Sequence, residues 1–159
     1  MTPVHSQYVD RTLAERAVDM ARPLIEEAMR NPAYGDSGFL HIVVMDPVLT
    51  PANASFEQAI LFEHSIGDRA RWVADYQAFA RAKARLSWRL RLDGHVVHAL
   101  QPYLLQPDDV SAWGSVALND IVVGVSGAFP SFDELYATVV AACVRGLAKA
   151  RAAEAMKQA

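Results

Sequence analysis

One cysteine is all that this chain of 159 residues contains, so Cys143 has no intramolecular partner and no disulfide staples the fold. That usage fits a reducing compartment. An excess of one charge is also missing. Fifteen basic residues stand against 18 acidic ones, and a formal charge of −3 gives no global pull toward nucleic acid or an anionic membrane. No uninterrupted apolar run approaches the roughly 20 residues of a spanning helix, and Met1 to Asp10 has no apolar signal core. The expectation is a cytoplasmic protein with neither a nucleic-acid nor a membrane partner. Several catalytic signatures are absent too. Gly124-Val125-Ser126-Gly127 is one residue short of a hydrolase elbow, and no phosphate loop, dinucleotide fingerprint or Glu-x-x-His pattern occurs. No metal ligand set is expected.

Apolar residues make up 52% of the chain, ample for one core. A domain of about 150 residues buries roughly 70% of its unfolded surface and needs no staple. Residues 1–10 read as a loose N-terminal arm and 11–159 as a single domain. Thr12 to Arg30 has helical period, with a Thr12/Glu15 capping box at its start. Pro23 inside it predicts a kink or break, because its ring clashes with the carbonyl of Asp19. Phe39 to Met45 reads as a strand covered on both faces. Phe56 to Ile66 reads as a second strand, with Ile60, Phe62, His64 and Ile66 on one face and Leu61, Glu63 and Ser65 on the other.

Asp68 is placed to cap a helix running to about Leu92, with Trp72, Tyr76, Phe79, Leu86 and Leu90 on one stripe, Lys83 interrupting it and Gly94 as its left-handed stop. His95 to Gln101 is open between a short helix and a strand. Trp113 to Leu118 and Ile121 to Phe129 read as strands joined by a tight turn at Asn119-Asp120. A last helix follows, with Ser131 and Glu134 as its capping box and Leu135, Val139, Cys143 and Leu147 as its buried stripe. The order α-β-β-α-β-β-α predicts an α+β domain: an antiparallel sheet of four or five strands flanked by helices.

The stretch Val122-Val123-Gly124-Val125-Ser126-Gly127, followed by a helix opening Ser131-Phe132-Asp133-Glu134, resembles the GlcG/HbpS family, described as haem-degrading or haem-binding. His41-Ile42-Val43-Val44-Met45-Asp46 is similar to that family's first apolar strand. Ala82-Lys83-Ala84 is similar to the core of its middle helix, and Gln106-Pro107 also fits. Two departures stand out. Trp113-Gly114-Ser115-Val116-Ala117 has one Gly and no Pro where the family carries a Gly-Gly-x-Pro turn, and Asp46 to Ala54 lacks a Gly pair. The resemblance implies a profilin-like fold, a small-molecule ligand with haem as one version, and a homo-oligomer.

The candidate ligand-binding residues are Lys83, Arg89, His95, His98 and Trp113. His95 and His98 share a face if the segment is helical and oppose each other if it is a strand. Arg81, Lys83, Arg85, Arg89 and Arg91 have no acid among them and offer charge-assisted bonds to an organic acid or to haem propionates, or else a solvated face. Lys83 must snorkel or meet a buried acceptor. His41 and His64 pair only if they share a sheet face. Glu63 and Asp46 are candidate acid–base groups, with solvated or capping roles as the alternative. Cys143 reads as a core residue. Trp72, Trp88 and Tyr136 exceed what one core obviously needs, which agrees with assembly. Three readings stay open: a ligand-binding protein, an enzyme on a small organic acid using Lys83 with a carboxylate, and a non-catalytic oligomeric accessory subunit.

Overall fold

A computed structural model describes residues 4–159. The chain forms a four-stranded antiparallel sheet in the order β2-β1-β4-β3. Helix α1 (Arg11–Met29) precedes strand β1 (Leu40–Met45). A single helical turn, α2 (Phe56–Ala59), leads into β2 (Ile60–Ile66). Helices α3 (Tyr76–Leu90) and α4 (Gly94–Leu100) follow, then β3 (Ser115–Leu118), β4 (Ile121–Ser126) and the 28-residue α5 (Pro130–Lys157). Helices α1 and α5 pack together on one sheet face and α3 covers the other. This is the expected α+β architecture, with the two hairpins joined through β1 and β4.

The sheet pleat sorts the residues. Leu40, Ile42 and Val44 of β1 join Val123 and Val125 of β4 under α1 and α5, around Tyr136, Val140 and Val144. On the other side Val43, Met45 and Val122 meet Ala80, Ala84 and Trp88 of α3. Both central strands are buried throughout, as their unbroken apolar runs require. Gly124 faces α3, and a Cβ there would lie 2.6 Å from the Ala80 carbonyl oxygen and 2.7 Å from Ala84. The helix backbone therefore rests directly on the strand. The turn joining β3 to β4 has Asn119 at φ 50° and Asp120 at φ 66°. Two successive left-handed residues suit the right-handed twist of a hairpin, and Asn and Asp tolerate them at low cost.

Several local expectations are corrected. The first helix starts one residue early because Asp10, rather than Thr12, accepts the Leu13 amide at 2.9 Å. It runs unbroken through Pro23, which lies on the solvent face like Asp19, where water can serve the carbonyl left unbonded. Leu24, expected on the buried face, is exposed. Residues 56–59 are helical because Ser55 and Gln58 form a reciprocal capping box. Asp68 caps only a short 3₁₀ turn, and Asp75 caps α3, so Trp72 lies outside the helix. Phe79 is exposed, and the buried face of α3 runs through Tyr76, Ala80, Lys83, Ala84 and Ser87.

The left-handed stop is Arg91, at φ 56°, while Gly94 opens α4. The Arg91 guanidinium donates to the carbonyls of Leu49 (2.8 Å) and Asp120 (2.9 Å), which holds the strained residue. Pro130, preset for the first helical turn, starts α5 before Ser131 can cap it. The buried stripe of α5 lies one position over from the expected one, through Tyr136, Val140 and Val144. Trp88 and Tyr136 are core residues, not surplus surface aromatics.

Of the expected loose arm, residues 1–3 lie outside the described residues. The described part, 4–10, is held to the body. His5 Nδ1 lies 3.0 Å from the buried Asp46 carboxylate, and Arg151 reaches Asp10 at 3.0 Å. Among the described residues no helix is long and apolar enough to cross a membrane.

Candidate functional site

Lys83 projects from α3 toward the C-terminal end of β4, where the start of α5 meets the sheet. Its Nζ donates to Asp133 Oδ2 at 2.9 Å, to the Val125 carbonyl at 3.2 Å and to Ser126 Oγ at 3.3 Å. The buried acceptor that the sequence demanded is thus Asp133, whose other oxygen accepts the Ala128 amide at 2.8 Å. Only 5% of the Lys83 side chain and 1% of that of Asp133 meet solvent. Burial raises the Asp133 carboxyl to about 6, although Lys83 and the backbone donors favour its charged form. Gly114 closes the pair from above: a Cβ there would sit 2.9 Å from both Lys83 Cδ and Asp133 Cβ. The pair joins the helical layers on the two sides of the sheet.

The open choice at His95 to Gln101 resolves as helix α4, Gly94–Leu100, so His95 and His98 lie on neighbouring turns of one helix face. His95 is exposed and its ring meets Trp113 edge-on, with centroids 5.0 Å apart. His98 is half-buried, and its Nε2 is enclosed without a hydrogen-bond partner among the described residues. Glu134 neighbours His95. Burial and the nearby Asp93 raise its carboxyl above the usual range. Arg89 makes a two-pronged pair with Asp109, both contacts 2.7 Å, and Asp109 also accepts the Gln106 amide at 2.7 Å. That hydrogen-bonded guanidinium holds the Asp109 carboxyl below its ordinary value. Trp113 adjoins Gly94 and His95 at the start of α4 and precedes Gly114, which covers the Lys83–Asp133 pair, while Arg89 of α3 pairs with Asp109 of the loop before β3.

The cationic series of the middle helix finds its acids on other elements. Arg81 pairs with Glu63 of β2, Lys83 with Asp133 of α5, Arg89 with Asp109, and Arg85 more loosely with Glu57 at 3.5 Å. A cavity of ≈ 300 Å³ beside Asp75, Gln77, Arg81 and Arg85 lies on the outer side of α3, away from Lys83.

A second polar cluster occupies the β2 edge of the same sheet face. The β1–β2 register pairs His41 with Ser65 and Val43 with Glu63, whereas His64 is opposite Ile42. His41 and His64 thus face opposite sides of the sheet, and they form no histidine pair. His64 instead accepts from Arg22 of α1. His41, 2% exposed, lies between Ser65 Oγ (2.8 Å) and Glu63 Oε1 (3.0 Å). Arg81 donates to both Glu63 oxygens, at 2.7 and 2.5 Å. Burial opposes the charge on Glu63, but Arg81, His41 and Gln77 outweigh it and hold the carboxyl at about 2. Desolvation lowers the His41 pKa against the opposing pull of Glu63. Sequence reading singled out His41 and Glu63 separately. It missed Ser65 as their companion, although the alternation of β2 already put Glu63 and Ser65 on one face.

Asp46, the other candidate acid, is fully buried and accepts from the Val48 amide at 3.0 Å, which is a turn-capping role. Cys143 is partly buried against the α1–α5 core, and burial pushes its thiol up. No protein-family model and no curated protein matches this chain.

Proposed function

We propose that this chain is a small-molecule-binding protein of GlcG/HbpS-like kinship, taking its ligand on the histidine-bearing face of α4 beside Trp113. The observation that carries this reading is the state of His98: it shares a helix face with the open His95, and its Nε2 is enclosed yet unpaired among the described residues. An unpaired buried nitrogen costs free energy unless something completes it. Haem is the ligand that the motif resemblance brings. The donor set fits in one respect: an imidazole nitrogen is an iron ligand, so His98 would hold the metal, and His95 and Trp113 would contribute to its surroundings. Arg89, a candidate for propionate, would first have to leave Asp109.

Residues named in the resemblance lie together: Lys83 of α3 reaches Val125 and Ser126 of β4 and Asp133 of α5. On this reading the protein works in the cytoplasm as a homo-oligomer, with the exposed Leu100 and Tyr103 near the end of α4 as apolar contact points.

Haemin titration followed by absorption tests the proposal. A red-shifted Soret band that is lost in His98→Ala and weakened in His95→Ala is the expected result. No spectral change with the intact protein overturns the haem version. Unchanged binding in both variants overturns the site. Light scattering that shows a monomer at micromolar concentration overturns the assembly.

A further inference from the structure

Ser65, His41 and Glu63 form a hydrogen-bonded series whose proton positions follow from charge alone. Glu63, tied to Arg81 by two bonds, is an anion and can only accept. The hydrogen between it and His41 therefore sits on Nε2. Burial favours the neutral ring, whose Nδ1 then carries a lone pair and can only accept. The 2.8 Å contact to Ser65 is then a bond donated by the serine hydroxyl to imidazole. A hydroxyl aimed at a base, with the base oriented by a carboxylate, is the geometry of an activated nucleophile.

Access fits as well. Strand β2 forms one edge of the sheet, and Ser65 is partly exposed while the ring behind it is covered. Trp72 meets the ring edge-on, with centroids 6.1 Å apart, and packs against its flank. The charged and polar groups facing His41 are Glu63 from β2, Arg81 and Gln77 from α3, and Arg69 from the turn before α3.

We propose that Ser65 is a nucleophile that accepts acyl groups from small activated esters, with His41 as its general base and Glu63 as a positioning residue. Ser65 Oγ forms a bond to the carbonyl carbon as its proton passes to His41 Nδ1. The ester C–O bond breaks, and the departing oxygen takes that proton. Water then attacks the acyl-serine, passing a proton through His41, which releases the carboxylic acid and restores Ser65. The sum is ester plus water giving acid plus alcohol. The α4 ligand face plays no part in it.

The test uses the full chain with a fluorophosphonate probe and with p-nitrophenyl acetate, read by intact mass and peptide mapping. A single adduct on Ser65 is expected, absent in Ser65→Ala. In His41→Gln the labelling rate should fall by about 10²-fold or more, the usual contribution of a general base. Labelling should rise with pH as the imidazole loses its proton, and Glu63→Gln should move that midpoint downward, because the carboxylate is what favours the protonated ring. A purely structural Glu63 would leave the midpoint in place and lower only the melting temperature. No adduct on the folded wild-type chain, an adduct mapped elsewhere, or an equal rate in folded His41→Gln each overturns the proposal. Because Ser65→Ala and the wild type decide the matter without altering the buried ring, a misfolded His41→Gln does not rescue it.

Discussion

Two charged clusters flank the same helix, and their surroundings are opposite. Lys83 and Asp133 sit at the end of β4, sealed under Gly114, with both charges almost wholly removed from water. Glu63, His41 and Arg81 sit at the β2 edge, where the Arg81 side chain is 40% exposed and Ser65 is within reach of solvent. A sealed pair has no room for a substrate, so its chemistry is spent on joining α3 to α5. An edge cluster can keep a buried base and still offer an accessible hydroxyl. Charge alone does not mark a site; what separates these two is whether one member faces outward.

The largest expected effect breaks the sealed side. Removing one member of a buried pair leaves the other charge uncompensated, so Lys83→Met should cost about 3–5 kcal/mol in urea unfolding. Lys83→Met with Asp133→Asn should recover most of that, because Asn still accepts the Ala128 amide. If the double variant is no better than the single one, the pair is not a closed unit.

Next comes the floor both clusters share. Gly124→Ala should cost about 1–3 kcal/mol, since the added methyl meets the α3 backbone at 2.6 Å and the helix must lift. Glu63→Gln should cost less, on the order of 1 kcal/mol, because solvent screens its partner.

The pH dependence sharpens the contrast. Asp133 binds its proton more tightly folded than unfolded, so its contribution to stability falls as pH rises from about 3.8 to about 6. Glu63 is shifted the other way, so its contribution is complete above its ordinary 4.5 and is lost as pH falls toward about 2. The His41 contribution is likewise complete above its ordinary 6.5 and declines as pH falls below it. Urea midpoints across pH 3 to 7 for Asp133→Asn and Glu63→Gln, each against wild type, should therefore diverge in opposite directions. The smallest effect lies outside both clusters: Pro23→Ala should stabilise α1 modestly, by less than the ~3 kcal/mol proline penalty of a helix interior, with unchanged pH behaviour.

What the sequence revealed was local. Strands β1 and β4 were legible from unbroken apolar runs, and the Asn119-Asp120 hairpin from residue types that accept positive φ. The start of α3 was not, because Asp68 and Asp75 are equally good caps and only packing decides between them. The α5 stripe was displaced because Leu135, Val139 and Cys143 are as apolar as Tyr136, Val140 and Val144, and helical period cannot choose between adjacent apolar rows. For Lys83 the need for an acceptor was readable, but the identity of Asp133, fifty residues on, was not. The Ser65–His41 contact depends on strand register, a non-local property that a single chain reading leaves open.

Gly124 has a consequence for motion. With Ala80 and Ala84 seated on the strand backbone and no side chain between as a bearing, α3 can neither roll nor slide without a collision of main chains. Any adjustment to an incoming molecule must therefore come from its two ends: the capped turn before Tyr76 and the left-handed corner at Arg91. The middle of the helix acts as a fixed beam, from which Arg81 and Lys83 reach the two clusters.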